Sequence, residues 1–109
     1  MKRIESYEAW LTVVNQKKPL LLFVKTDHCS VCDGLFPQVA ALQVDYPISF
    51  YMVNIVEVPE IAGQLSLFSA PVVLLFNEGK EHARFARFVQ MSELKYRITE
   101  LIERGNDID

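Results

Sequence analysis

Five apolar residues in a row, Leu20 to Val24, set the strongest limit on how this chain can fold. Successive side chains of a strand point to opposite faces, so a strand of this composition is apolar on each face and needs cover on both. The run is far short of the ~20 residues that a membrane-spanning helix needs. With its flanks, Pro19 to Lys25 reads as the central strand of a sheet that has layers packed on either face.

The rest of the chain supplies those layers. Tyr7, Trp10, Leu11 and Val14 recur at helical spacing behind Ser6 as N-cap, which predicts an amphipathic helix from Ser6 to Gln16, ended by Lys17-Lys18-Pro19. Leu35, Val39, Leu42 and Tyr46 mark one face of a second helix from about Val31 to Asp45, kinked at Pro37, which has no amide proton to give. Ile48 to Asn54 reads as a strand, and Pro59 to Leu65 as a short helix with proline in its first turn. Val72 to Phe76, Asn77-Glu78-Gly79-Lys80 and His82 to Val89 read as strand, turn and return strand of a hairpin. Phe85, Phe88, Val89 and Met91 are read there as core in preference to a partner patch. Leu94, Ile98, Leu101 and Ile102 form the stripe of a last helix behind Ser92 as N-cap, with Gly105 closing it and Asn106 to Asp109 as a tail. This order predicts one α/β domain over residues 1–109, with a central four-stranded mixed β-sheet flanked by helices on both faces.

Composition narrows the function. A net charge of −3, with lysines and arginines scattered along the chain, gives no electrostatic footprint for nucleic acid. The amino-terminal residues lack the apolar stretch of a secretory signal, and no segment reads as a membrane span, so a cytoplasmic, reducing compartment is the expectation. Glu57, Glu60, Glu78 and Glu81 form no spaced carboxylate pair, which leaves a hydrolase unsupported.

The chemistry is concentrated in Cys29-Ser30-Val31-Cys32, the only two cysteines, three positions apart where the apolar strand turns into a helix. Such a pair can close a small disulfide ring and open it again by thiolate attack. Cys29, at the mouth of a helix, faces unpaired amides and the positive end of the helix dipole, which can lower a cysteine pKa from about 8.5 to about 7 or below. Cys32, a turn further in, is expected to be the more buried. The plainer alternative is two thiols packing as small hydrophobes, and their place at a turn beside polar residues argues against it. A zinc site needs about four ligands, and Cys29, Cys32, His28 and His82 reach that number only if His82 comes across from the hairpin. We therefore expect no metal. His28 is either a surface turn residue or a group that tunes the thiol, and His82 is a strand residue.

Five features in this order resemble the thioredoxin family: Cys29-Ser30-Val31-Cys32 after a central strand, Pro37 five residues beyond Cys32, Ala70-Pro71 opening a strand, Phe76-Asn77-Glu78-Gly79 at the hairpin, and an amphipathic terminal helix. A CxxC alone is a weak signal; the ordered set, spanning about Ser6 to Arg104, is a specific one. The resemblance implies a thioredoxin-like fold and a thiol–disulfide oxidoreductase that exchanges two electrons with protein disulfides. Within it Cys29 looks like the attacking thiol and Cys32 like the resolving one. Pro71 looks like the family's cis-proline, whose loop packs beside the cysteines and lets the backbone of Ala70 pair with a substrate strand, with Val31 in the same substrate site. The resemblance further implies a role in redox homeostasis and electron transport with no bound cofactor. The partner it suggests is a flavin-dependent thioredoxin reductase fed by NADPH.

The chain also departs from the family pattern. Phe23 stands where the family has a buried aspartate that assists the resolving cysteine, and His28 where it has a tryptophan. Ser30-Val31 replaces Gly-Pro between the cysteines, and Val89 takes the place of a loop glycine before the last helix. His28 and Ser30 are thus candidate redox-tuning residues. A protonated His28 favours the Cys29 thiolate, and the carboxylates of Asp27 and Asp33 oppose it. Phe23 and Val89 keep a second reading open: a thioredoxin-fold interaction module whose cysteine pair is vestigial or sensory.

Overall fold

Leu20, Leu22 and Val24 point into one apolar cluster and Leu21 and Phe23 into another, so the unbroken apolar run is the line along which two cores meet. A computed structural model of the chain describes residues 1–106. Its elements are β1 (Lys2–Arg3), α1 (Tyr7–Val14), β2 (Leu20–Lys25), α2 (Ser30–Ala40), β3 (Ser49–Asn54), α3 (Pro59–Gln64), β4 (Val72–Asn77), β5 (Lys80–Ala86) and α4 (Met91–Asn106). The strands lie in the order β1-β3-β2-β4-β5, with β1, β3 and β2 parallel and β4 and β5 antiparallel to their neighbours. As the sequence predicts, β2 is central and all but its last residue are buried.

One face of the sheet carries α1 and α3, through Trp10, Val58 and Ile61, and the other carries α2 and α4, through Leu35, Val39, Leu94, Ile98 and Leu101. β4 alternates in the same way, with Val72, Leu74 and Phe76 on the first face and Val73 and Leu75 on the second. Trp10 meets Phe76 edge to face with ring centroids 5.0 Å apart, and Phe23 meets Phe36 in the same manner at 5.4 Å. Burial of side chains of this size stabilises by about 1.5–3 kcal/mol each.

Local chemistry explains the boundaries. Ser6 caps α1, its hydroxyl accepting the Ala9 N–H at 3.0 Å. Pro59 sits in the first turn of α3, where no amide partner is needed. The β4–β5 hairpin closes through Glu78 and Gly79, both left-handed, which matches the twist of the strands it joins.

Several expectations need correction. The sheet has five strands where four were expected, because Lys2 and Arg3 pair with Tyr51 and Met52 on the open edge of β3. Helix α2 begins at Ser30 and gives way at Ala41–Val44 to a 3₁₀ turn. The return strand starts at Lys80 and stops at Ala86, because Arg87 turns left-handed, so Val89 lies outside it. Phe88 is not core: it is 89% exposed, whereas Phe85, Val89 and Met91 do pack against the second cluster. Helix α4 starts at Met91, which places Ser92 inside its first turn, and runs through Gly105 to Asn106. The remainder of the expected tail, residues 107–109, lies outside the described residues.

Candidate functional site

β2 ends at Lys25, and the chain needs only Thr26, Asp27 and His28 to reach the mouth of α2. The turn is made by His28, which is left-handed at φ 53°, a conformation a polar side chain tolerates better than a β-branched one. Two bonds from the end of β3 hold it: the Ile55 N–H donates to the Lys25 carbonyl at 3.0 Å, and the Asn54 side-chain amide donates to Asp27 Oδ1 at 2.7 Å. Asn54 is only 4% exposed, and its Oδ1 accepts the Val56 N–H at 2.9 Å, so both ends of this buried amide are matched.

Cys29 is the N-cap of α2, and its Sγ accepts the Cys32 N–H at 3.1 Å while its carbonyl accepts the Asp33 N–H at 3.1 Å. An atom in that place sits among amides with no helical partner, at the positive end of the helix dipole, and the arrangement favours an anionic sulfur over a neutral one. Cys29 and Cys32 are joined as a disulfide with Cα atoms 5.2 Å apart. The two sulfurs differ in access: Cys29 is half-buried and Cys32 is 1% exposed. His28, Ser30 and Val31 are all exposed in the same turn.

The Ala70–Pro71 peptide bond is cis, as the resemblance implied. The pairing of Val24 with Val72 brings Pro71 to the same edge of the sheet as Lys25 and the cysteine turn. Pro71 is buried and Ala70 half-buried, and the Pro71 carbonyl accepts the Arg87 N–H at 3.3 Å. The left-handed residue of the loop before α4 is therefore Arg87 and not Val89. Phe68 and Phe88 project from the two loops at this edge, 94% and 89% exposed.

Beneath Cys32 lies a cavity of about 210 Å³ lined by Phe23, Phe36 and Met52, with Lys25 and Asp33 also on its wall. Phe23 is fully buried, so the position that the resemblance assigns to a carboxylate holds a phenyl ring. On the neighbouring strand end, the hydrogen bond from Arg3 holds the Glu57 carboxyl below the usual carboxylate range, and the same bond raises the Arg3 guanidinium. Among the described residues no three His, Cys, Asp or Glu side chains come together as metal ligands. His82 lies on β5, apart from the cysteines in the topology, and its carbonyl accepts from Arg97 at 3.0 Å.

Two residues escaped the sequence reading. Asn54 reads only as the end of a strand, yet it ties β3 to the turn before Cys29. Arg84 lies opposite Leu74, on the face that packs α1 and α3. A charged residue at a core-facing register was the available signal for it.

With this geometry in hand, three comparisons agree. The thioredoxin family model matches residues 2–100. The thioredoxin-like protein YdfQ of Bacillus subtilis is 31% identical over 102 residues, which cover 90% of this chain and 91% of that protein. Thioredoxin AMT13 of Alternaria alternata is 28% identical over 85 residues, 76% of this chain and 72% of that one. Among solved structures, Fasciola hepatica thioredoxin superimposes with a TM-score of 0.83 at 22% identity, covering 92% of this chain and 98% of its own, a likeness of fold.

Proposed function

The chain belongs to the thioredoxin family, and from that premise we propose that it is a protein-disulfide reductase in which Cys29 attacks and Cys32 resolves. The observation that carries the reading is the asymmetry of the pair: the reachable sulfur is the one that accepts an amide hydrogen at the helix mouth, and its partner is buried one turn away.

In the reduced protein the Cys29 thiolate attacks one sulfur of a substrate disulfide. The S–S bond of the substrate breaks, one substrate thiolate leaves, and Cys29 is joined to the other sulfur as a mixed disulfide. Cys32 then loses its proton and attacks Cys29. The second substrate sulfur departs, and the Cys29–Cys32 bond forms. Two electrons have passed to the substrate, and two protons from solution complete its thiols. Ala70 and Val31 are assigned to the docking of the substrate strand and Pro71 to the shape of that edge, with His28 and Ser30 as the residues that tune the thiol. Electrons return through a flavin-dependent reductase, a partner suggested by the family. We assign the activity to the cytoplasm, where a dithiol can be kept reduced. No described helix is long and apolar enough to cross a membrane.

The test is a trap. A Cys32→Ser variant accumulates covalent adducts with substrate proteins on non-reducing gels, whereas Cys29→Ser does not. The reading fails if Cys32→Ser traps nothing and both variants behave like wild type.

One observation favours a second reading. Phe23 and Phe36 line the cavity beside the buried sulfur, Asp33 on the same wall is exposed, and no carboxylate among the described residues is buried there to take its proton, as expected of an interaction module with a vestigial or sensory pair. Insulin precipitation with dithiothreitol separates the two, because a module gives no acceleration over the reductant alone.

A further inference from the structure

The loop between α3 and β4 is held at one end by β5 and at the other by the residue that follows it. At its far end the Arg87 N–H, one residue past β5, donates to the Pro71 carbonyl. At its near end the Arg84 guanidinium donates through Nη1 to the Ser66 carbonyl at 3.0 Å and through Nη2 to the Leu65 carbonyl at 2.6 Å. The other edge of the same fork grips Glu81, with Nε and Nη2 each 2.8 Å from a carboxylate oxygen. A planar, two-sided grip of this kind fixes direction as well as distance, which a lysine ammonium does not do.

The near end needs such a partner. Leu65 is the C-cap of α3, Ser66 is left-handed at φ 54°, and the Leu67 N–H donates back to the Ala62 carbonyl at 2.8 Å. This closure of a helix usually has glycine at the left-handed position; here it has serine. It leaves the carbonyls of Leu65 and Ser66 without helical partners, and these are the two that Arg84 meets. Between the two clamps the chain buries Leu67, exposes Phe68 and Ser69, half-buries Ala70 and buries Pro71.

We propose that Arg84, oriented by Glu81, is a positioning residue that fixes the segment from Leu65 to Pro71 so that Phe68 and Ala70 are presented, already ordered, to a protein disulfide approaching Cys29. This rests on the function proposed above. A segment ordered before binding spends less of the binding energy on its own ordering, so losing the fork weakens capture of a protein substrate and leaves the thiol chemistry alone. Arg84 is thereby separated from the cysteines in its effect.

The experiment compares wild type with Arg84→Gln and Arg84→Lys in two assays: kcat and KM for insulin reduction, and the rate of Cys29 alkylation by iodoacetamide across pH. The expected result for Arg84→Gln is a KM raised about tenfold with kcat changed less than about twofold. Its alkylation profile superimposes on that of wild type, and Arg84→Lys behaves like Arg84→Gln because it keeps the charge without the fork. If Arg84→Gln does not fold, Glu81→Gln, which loosens the fork without removing it, raises KM in the same direction. An unchanged KM, or an alkylation profile that shifts along with KM, overturns the proposal. If wild type reduces no insulin, the proposed function falls and this role falls with it. If wild type is active and Arg84→Gln matches it in KM, this role alone falls.

Discussion

Two turns at opposite ends of the sheet use the same backbone device for different ends. The hairpin between β4 and β5 reverses the chain through Glu78 and Gly79, and the turn between β2 and α2 redirects it through His28; all three are left-handed. At the hairpin, glycine takes one of the two positions, and Glu78, Lys80 and Glu81 are exposed and charged while Asn77 is buried. At the cysteine turn no glycine is used, and Val31, Phe68 and Phe88 stand in solvent on it or on the loops beside it. Phenyl rings this exposed contribute little to holding the fold together, and both stand on loops at the edge where the proposed substrate approaches Cys29. The contrast teaches that one turn device serves a plain chain reversal at one end of the sheet and presents the cysteine pair at the other.

The sharpest way to break this comparison is to remove the sulfur. Cys29→Ser is expected to lower kcat/KM for insulin at least about a thousandfold, to the uncatalysed background, with a urea midpoint equal to that of the reduced wild type. A large fall in midpoint would mean that the cysteine turn also holds the fold. At the hairpin the expectation is reversed. A Cβ at Gly79 has room, its nearest contact being the Val14 carbonyl at 3.7 Å, so the cost of Gly79→Ala is conformational. We expect about 1 kcal/mol of lost stability by urea denaturation and unchanged insulin turnover. The smallest effect sharpens the picture at the rim: Phe88→Ser should raise KM for insulin about threefold and leave stability within about 0.5 kcal/mol. A loss of stability there would return Phe88 to the core.

What the sequence made legible follows the same division. β2 was readable because five consecutive apolar residues allow little else, and the cysteine turn because its spacing lies between two strong periodic signals. β1 was not, since Lys2 and Arg3 are charged, exposed and too few to alternate; only the open edge of β3 makes them a strand. Phe88 reads as core in the sequence and is exposed in the structure, because alternation from Phe85 to Val89 looks like a strand until Arg87 breaks it, and a left-handed arginine has no sequence signature. Arg84 and Asn54 were missed for a related reason. The partners that give them their roles, Asp27 for Asn54 and Leu65 and Ser66 for Arg84, lie 18 or more residues away, so hydrogen bonding across the fold decides those roles and local pattern does not.

The Cys29–Cys32 bond spans a separation of three residues, whereas the pairing of β2 with β4 joins segments roughly fifty residues apart. By chain statistics, a crosslink subtending so small a loop takes little freedom from the denatured chain compared with one that closes the whole sheet. Opening it therefore releases less constraint on the denatured chain than a sheet-closing crosslink would, and it breaks no strand pairing. On the proposed function, the sheet and its two cores are thus built from pairings that the clasp between Cys29 and Cys32 does not join.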